Sequence, residues 1–338
     1  MKGLKMENSL FKEKNVLITG ATGLIGSYLV RKMLKLGANV IALGRNAQKI
    51  ESVFKDEIKC ENFRLISMNI SKSFPENIGN VHYIFHAASP ISGAEIAYKP
   101  VDTIETNLSG MKNCLEFLKK QKDKKKINGK MIVFSSATVY GNPSESDSTF
   151  TEEQTNHAEQ LEAIATPYSE SKRMIEVLAR SYYIQYGVEV VIARMGYVYG
   201  YATYKPNTAF YEFVEKALER NDIVINNSGM GKRDNIYVKD VVEGLVLIAE
   251  KGKLGEAYNI SSNGEKGNYS AIDQIADIIA FCSNEMMDGK KIEVKVRNFE
   301  KNRKPGVKLN NDKIKELGWK VTTDLKNGIK ETICLYMN

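Results

Sequence analysis

The sequence holds no apolar run approaching the roughly 20 residues that a bilayer-spanning helix needs. Its start, Met1 to Lys14, is polar apart from Leu10 and Phe11 and lacks the apolar core of a secretory signal. The expectation is a cytoplasmic protein. Cysteine is scarce and scattered: Cys60, Cys114, Cys282 and Cys334 make no metal-type spacing and read as reduced packing residues. The three histidines, His82, His86 and His157, make no zinc pattern, so no metal is expected. The net charge of +7 is modest, and its densest basic run, 119–126, has no aromatic platform beside it. That run reads as a solvated helix end and loop, since lysines suit a helix C-terminus. No nucleic-acid partner is expected. No internal repeat is evident.

What is present is an ordinary globular composition. The 338 residues are 43% hydrophobic and 26% charged, room for one large domain or two modest ones. Strands are predicted at 16–18, 40–43, 63–68, 81–85, 131–134 and 188–193, and helices over 27–36, 101–120 and 168–186. This alternation predicts an α/β fold with a doubly wound parallel Rossmann sheet. Beyond about residue 200 the loops lengthen and strands become isolated, which predicts a smaller C-terminal α/β lobe. Residues 1–200 are expected to form the dinucleotide-binding domain, with 236–262 packing back on it. Residues 201–338 are expected to form mainly the substrate-binding lobe, with helical patterns at 207–220 and 272–281.

Between the first strand and the first helix runs Thr19-Gly20-Ala21-Thr22-Gly23-Leu24-Ile25-Gly26. Gly20 permits a tight turn, Gly23 permits backbone approach to a pyrophosphate, and Gly26 lets the helix pack close to the strand. Phosphates would meet the free N–H groups at the helix start, flanked by Thr22, Leu24 and Ile25. The second strand ends at Leu43-Gly44-Arg45-Asn46. An NAD-binding fold usually places an acidic residue there for the ribose 2′-hydroxyl. Arg45 instead suits a 2′-phosphate, which favours NADP and leaves NAD open. Asn69 and Ile70 could bracket an adenine with one polar and one apolar side chain. The small residues Ala87 and Ala88, after His86, leave room for a flat cofactor.

Tyr168 and Lys172 lie four apart, on one face of a helix that opens after Pro167. An ammonium beside a phenol favours the phenolate, so Lys172 is expected to lower the Tyr168 pKa from about 10. A serine hydroxyl from Ser135-Ser136, at a nearby strand end, could hold the same substrate oxygen. Together with a dinucleotide turn, these parts suggest reversible oxidation of an alcohol.

These residues resemble the extended short-chain dehydrogenase/reductase family, specifically nucleotide-sugar epimerases and dehydratases. The likeness runs from Thr19-Gly20 to Leu317-Gly318-Trp319 and includes His86-Ala87-Ala88, Asn107-Leu108-Ser109-Gly110 and the segment 231–241. It implies that Tyr168 is the catalytic acid/base and that Lys172 tunes it and holds the nicotinamide ribose. Ser136, which directly precedes Ala137-Thr138-Val139-Tyr140-Gly141, matches the family's catalytic hydroxyl. Asn107 would belong to the cofactor site. Arg233, and more loosely Arg303, would contact the diphosphate of a nucleotide-sugar. The family's dehydratases carry an acidic pair after the catalytic hydroxyl, and its decarboxylases usually a glutamate. Here Ala137 and Thr138 stand there, as in 4-epimerases. The family's frequent Asn in the run 194–200 is missing, with Gly196 at or beside its place, and 144–165 has no clear match.

The leading expectation is therefore a nucleotide-sugar 4-epimerase. Its rivals are an NADPH-dependent nucleotide 4-keto-sugar reductase and a non-catalytic NADP sensor or scaffold. A homodimer is expected through the helices at 101–120 and 168–186. Met174, Val177, Leu178, Ser181 and Tyr182 form a second, largely apolar face on the latter.

Overall fold

The computed structural model describes residues 9–141, 148–154, 160–226, 231–297 and 306–337. In chain order its elements begin β1 (Asn15–Thr19), α1 (Leu24–Lys35), β2 (Asn39–Gly44), α2 (Ala47–Val53), β3 (Phe63–Ser67), β4 (Tyr83–His86), α3 (Gly93–Tyr98), α4 (Pro100–Lys125) and β5 (Lys130–Phe134). Next come β6 (Ser148–Phe150), α5 (Thr166–Tyr186), β7 (Glu189–Met195), β8 (Tyr197–Tyr199), α6 (Ala209–Leu218) and β9 (Ile223–Ile225). The chain closes with β10 (Arg233–Tyr237), α7 (Val238–Lys251), β11 (Ala257–Ile260), β12 (Tyr269–Ser270), α8 (Ile272–Met286), β13 (Val294–Val296), β14 (Val307–Leu309), α9 (Asp312–Glu316) and α10 (Leu325–Met337).

Seven strands form one sheet in the order β11-β7-β5-β4-β1-β2-β3, every pair parallel. Both faces are covered at its centre, so β1, β2, β4 and β5 read as largely apolar runs. Val16 and Ile18 point to one face, with Leu29 and Met33 of α1 and Leu245 of α7. Leu17, between them, points to the other face, with Met111 and Leu115 of α4 and Ile175 of α5. The strand order reverses between β1 and β4, and ligands of such Rossmann sheets bind at the carboxyl ends beside that reversal.

A smaller mixed sheet runs β12-β10-β14-β6, with β8 also paired to β10. Its strands come from five separate stretches of chain. β6 lies inside 144–165 and pairs in parallel with β14, while 144–147 and 155–159 of that stretch fall outside the described residues. α6, α8 and α10 enclose a separate core around Phe213, Ile275, Ile279 and Ile333.

Two helix expectations change. α4 runs on to Lys125, so the basic run is mostly helix rather than loop. Lys122 Nζ donates to the Tyr186 and Gly187 carbonyls at 3.0 and 2.8 Å, closing the end of α5. The apolar face assigned to α5 is also narrower than expected. Tyr182 is buried and donates to Glu116 Oε1 of α4 at 2.6 Å, and Leu178 packs against the core. Met174 and Val177 remain in water, 52% and 59% exposed. Among the described residues, no helix is long and apolar enough to cross a membrane.

Candidate active site

Every glycine of the first turn has a distinct reason to lack a side chain. Gly20 sits at φ +62°, and a Cβ on it would come within 2.8 Å of Ala88 N and 2.9 Å of the Ala87 carbonyl. The backbone of Ala87 and Ala88 therefore lies directly against this turn. A Cβ on Gly26 would lie 2.4 Å from Gly20 O, so Gly26 folds the first turn of α1 against the loop itself, not against the strand. Gly23 is exposed, and a Cβ there would meet only Gly20 O, at 3.3 Å. It is the N-cap of α1 and supplies no side-chain bond, so the first N–H groups of α1 lack a side-chain cap. An exposed glycine before an uncapped helix start fits a pyrophosphate. Thr22 and Ile25 are half-buried at this turn, while Leu24 is buried.

Arg45 is exposed just past the carboxyl end of β2, beside Gly44. Asn69 is exposed and its side chain accepts from Ser71 N at 3.0 Å, an Asx turn. Ile70 departs from its expected place. It is 3% exposed, and its side chain would lie 3.1 Å from a Cβ on Gly110, so it packs against α4 and offers a base no free face. Asn107 is buried between two hydroxyls. It accepts from Ser89 Oγ at 2.7 Å and donates to Ser171 Oγ at 2.8 Å, joining the loop after β4 to the first turns of α5.

That joint places Tyr168 and Lys172 over the end of β5. The Ser136 hydroxyl lies near enough to Tyr168 to favour its phenolate, and its Oγ accepts from Thr138 Oγ1 at 3.1 Å and Thr138 N at 3.2 Å. Ser135 is turned the other way, buried and hydrogen-bonded to Glu176. The structure thus separates two adjacent serines by direction. The expected effect of Lys172 on Tyr168 is not what this geometry produces. Lys172 Nζ donates to Phe134 O at 2.8 Å and lies 5.6 Å from the Tyr168 ring centroid. Burial outweighs the favourable influence of the Ser136 hydroxyl and pushes the Tyr168 phenol up to about 12. Burial also pushes Lys172 down to about 7, against the opposing charge of Glu176. His86, buried nearby, is pushed down to about 3 by burial and then by Lys172, and stays neutral. Its Nδ1 meets Thr19 Oγ1 at 2.9 Å, and Thr19 Oγ1 accepts from Ala88 N at 3.2 Å.

Across the cleft, the Arg233 guanidinium lies 4.4 Å from the Tyr197 ring centroid. Tyr197 is 52% exposed, and its phenol bears on Tyr168 electrostatically. Gly196, at or beside the place of the missing Asn, has no room for a side chain: a Cβ there would lie 2.0 Å from Ser261 Oγ and 2.7 Å from Asp234 O. Arg303 lies outside the described residues. Two further motif residues are structural. Asp240 accepts from Thr323 N at 2.9 Å, and Trp319 Nε1 donates to Asp240 O at 3.0 Å, so the segments 231–241 and 317–319 are folded on each other. The bond between Glu176 and Arg194 escapes a motif-based reading; the one signal for Glu176 is a third position at four-residue spacing after Tyr168 and Lys172.

UDP-glucuronic acid decarboxylase 6 of Arabidopsis thaliana is 28% identical over 335 residues, covering 96% of this chain and 90% of that protein. dTDP-glucose 4,6-dehydratase of Haemophilus influenzae is 28% identical over 356 residues, with 96% and 98% covered. Among solved structures, UDP-glucuronic acid 4-epimerase from Bacillus cereus, in complex with UDP-glucuronic acid and NAD, superposes with a TM-score of 0.77. It is 23% identical over 95% of this chain and 98% of that one, a likeness of fold. The sequence profile of the NAD dependent epimerase/dehydratase family matches residues 16–261, which span the glycine turn, the Ser136, Tyr168 and Lys172 cluster and β11. The chain belongs to the NAD dependent epimerase/dehydratase family.

Proposed function

We propose that this protein is a nucleotide-sugar 4-epimerase. The observation that carries the reading is the neighbouring Ser136 and Tyr168 hydroxyls with Ala137 and Thr138 directly after Ser136. Expelling water from a sugar needs a group that protonates the leaving hydroxyl. Ala137 and Thr138 bring no carboxylate to that place, which sets this chain apart from the expectation for a dehydratase or decarboxylase.

The turn at Gly20, Gly23 and Gly26 would hold a dinucleotide's pyrophosphate, and Lys172 the nicotinamide ribose. A nicotinamide bound there supplies a hydride acceptor and donor at the sugar carbon. Ser136 holds the C4 oxygen, with its own hydroxyl oriented by Thr138. Tyr168 exchanges the proton of that oxygen in both halves of the reaction. Arg233, braced on Tyr197, suits the diphosphate as a paired donor. The test is proton NMR of UDP- and dTDP-hexoses incubated with the protein. Inversion at C4 with no net change of cofactor is expected. A 4-keto-6-deoxy product or released carbon dioxide would overturn the reading.

A second reading, a nucleotide 4-keto-sugar reductase fed by NADPH, is favoured by Gly44 in the acidic residue's place and the exposed Arg45. Stoichiometric NADPH consumption would select it. Calorimetric titration of both dinucleotides into Arg45→Ala separates the cofactors: if Arg45 reads a 2′-phosphate, the NADP/NAD affinity ratio falls about 10-fold or more. A homodimer through α4 and α5 is supported by the exposed Met174 and Val177. Sedimentation of Val177→Glu checks this, with dissociation expected; a wild-type monomer at micromolar concentration refutes the dimer.

A further inference from the structure

α5 carries Tyr168, Lys172 and Glu176 at successive four-residue steps, so the three share one face. Only the first two belong to the reaction described above. Glu176 is almost enclosed, with its side chain 12% exposed, and its carboxylate is fully engaged. It accepts from Ser135 Oγ, from Arg194 Nε at 3.0 Å and from Arg194 Nη2 at 2.7 Å. Arg194, on β7, donates onward from Nη1 to Tyr140 Oη at 3.0 Å and to Glu152 O at 2.8 Å. Tyr140 donates to Asn259 Oδ1 at 2.7 Å, and Asn259 Nδ2 donates to the Phe150 and Asn310 carbonyls. A continuous chain of bonds therefore runs from the catalytic helix to the edge of the smaller sheet.

Ser135 and Ser136 are neighbours in extended backbone, so their side chains point to opposite sides. Whatever anchors Ser135 beneath the helix aims Ser136 at Tyr168. A pair kept only for stability has no need of this arrangement, because packed apolar residues often serve as well as a buried ion pair. We propose that Glu176 is a positioning residue for the reaction, holding Ser135 and Arg194 so that Ser136 and Lys172 are fixed relative to Tyr168. The role rests on the reaction given under Proposed function.

The charges around these groups set the direction of the effect. Lys172 faces Glu176 and Tyr168 on its own helix, neutral His86 from β4 and the Phe134 carbonyl from β5. Glu176 faces Arg194, and the cleft beside it is lined by Arg173, Arg180, Glu152, Glu153, Glu256 and Lys313. Without the negative charge of Glu176, burial acts on the Lys172 ammonium unopposed. It then loses its proton at lower pH, and the alkaline limb of any step that needs the ammonium moves down with it.

Three variants test this: Ser135→Ala, Glu176→Gln, and the charge-balanced double variant Glu176→Gln/Arg194→Gln. Two readouts are taken between about pH 6 and 9: kcat and KM for C4 inversion, and NADH affinity by fluorescence, which needs no sugar. Glu176→Gln should lower kcat about 10-fold or more with KM within about 2-fold, and move the alkaline limb of both readouts to lower pH. The double variant should regain thermal stability yet keep the low kcat and the shifted limb. Ser135→Ala, which leaves the ion pair whole, should lose kcat several-fold with the limb unmoved. A double variant with wild-type kcat and limb makes Glu176 a structural ion pair only. Should Glu176→Gln not fold, wild-type kcat in Ser135→Ala overturns the proposal by itself. If the wild type inverts no nucleotide-sugar while the NADH limb still shifts, the function above fails and only the electrostatic effect of Glu176 on Lys172 stands.

Discussion

The seven-stranded sheet and the smaller mixed sheet are held together by opposite means. The first is built from apolar strands whose two faces both meet helices, and its backbone bonds run in regular parallel ladders. The second is built from short strands separated widely along the chain and cemented by buried polar side chains. Asp234 alone accepts from Leu309 N at 2.9 Å, Asn263 N at 3.1 Å, Gly264 N at 3.3 Å and the Ser262 hydroxyl. Asn268 accepts from Asn235 N and Nδ2 at 3.0 and 2.8 Å on its carbonyl and donates to the Thr323 carbonyl at 3.1 Å. Buried apolar area tolerates modest change, whereas a buried charge that loses its partners is costly. Under the proposed function, the difference assigns chemistry to the regular sheet's carboxyl edge and recognition to the irregular one.

The largest expected effect lies where the two meet. Tyr168→Phe should lower kcat about 10²- to 10⁴-fold while leaving melting temperature and cofactor binding near wild type. Steady-state kinetics beside calorimetry checks it, and near-normal turnover by the folded variant would remove Tyr168 from the reaction.

Asp234→Ala should cost about 3 kcal/mol of stability, since several buried donors lose a charged acceptor at once. Urea unfolding measures the cost. If the variant is as stable as the wild type, the smaller sheet is not held by its polar groups.

Gly26→Ala should cost about 2 kcal/mol through forced contact with Gly20 O, and should weaken NADH binding about 10-fold. Fluorescence titration decides; wild-type affinity would show that the turn yields where the geometry says it is closed.

The last effect is one of pH. Folded His86 takes its proton near 3, while unfolded His86 takes it near 6.5. Between those values the unfolded chain binds the extra proton, so stability falls as pH falls, by up to about 1.4 kcal/mol per pH unit. His86→Gln should flatten the melting temperature against pH in that window relative to wild type. Parallel curves for the two proteins would assign the acid loss to carboxylates instead.

Most of the regular sheet was legible in the sequence, because periodic apolar runs and glycine turns are local signals. The strand at 16–18 and the turn at 20–26 need no distant partner to be recognised. β6 was not legible, because it is three residues long and becomes a strand only by pairing with β14. α10 lacked any motif to mark it. Of the site, Ser136, Tyr168 and Lys172 were readable from spacing and resemblance, and the structure brings them together. Ile70 was misplaced because its burial depends on the close approach of Gly110, which lies far along the chain. The Tyr168 pKa was misjudged for a related reason. Four-residue spacing puts Lys172 on the same helix face, but the Phe134 carbonyl decides where its ammonium rests.

The sequence by itself determined the family, the parallel sheet, the glycine turn and the spacing that proposes Ser136, Tyr168 and Lys172 as the reacting trio. These follow from residue type and spacing, which act over one helix turn or one strand. Tertiary structure alone decided which of two adjacent serines faces Tyr168, that Gly196 leaves no room for a side chain, and that Glu176 and Arg194 join the catalytic helix to the smaller sheet. Each of those depends on distant segments meeting at hydrogen-bond distance, and no local pattern encodes where a buried polar group will find its partner.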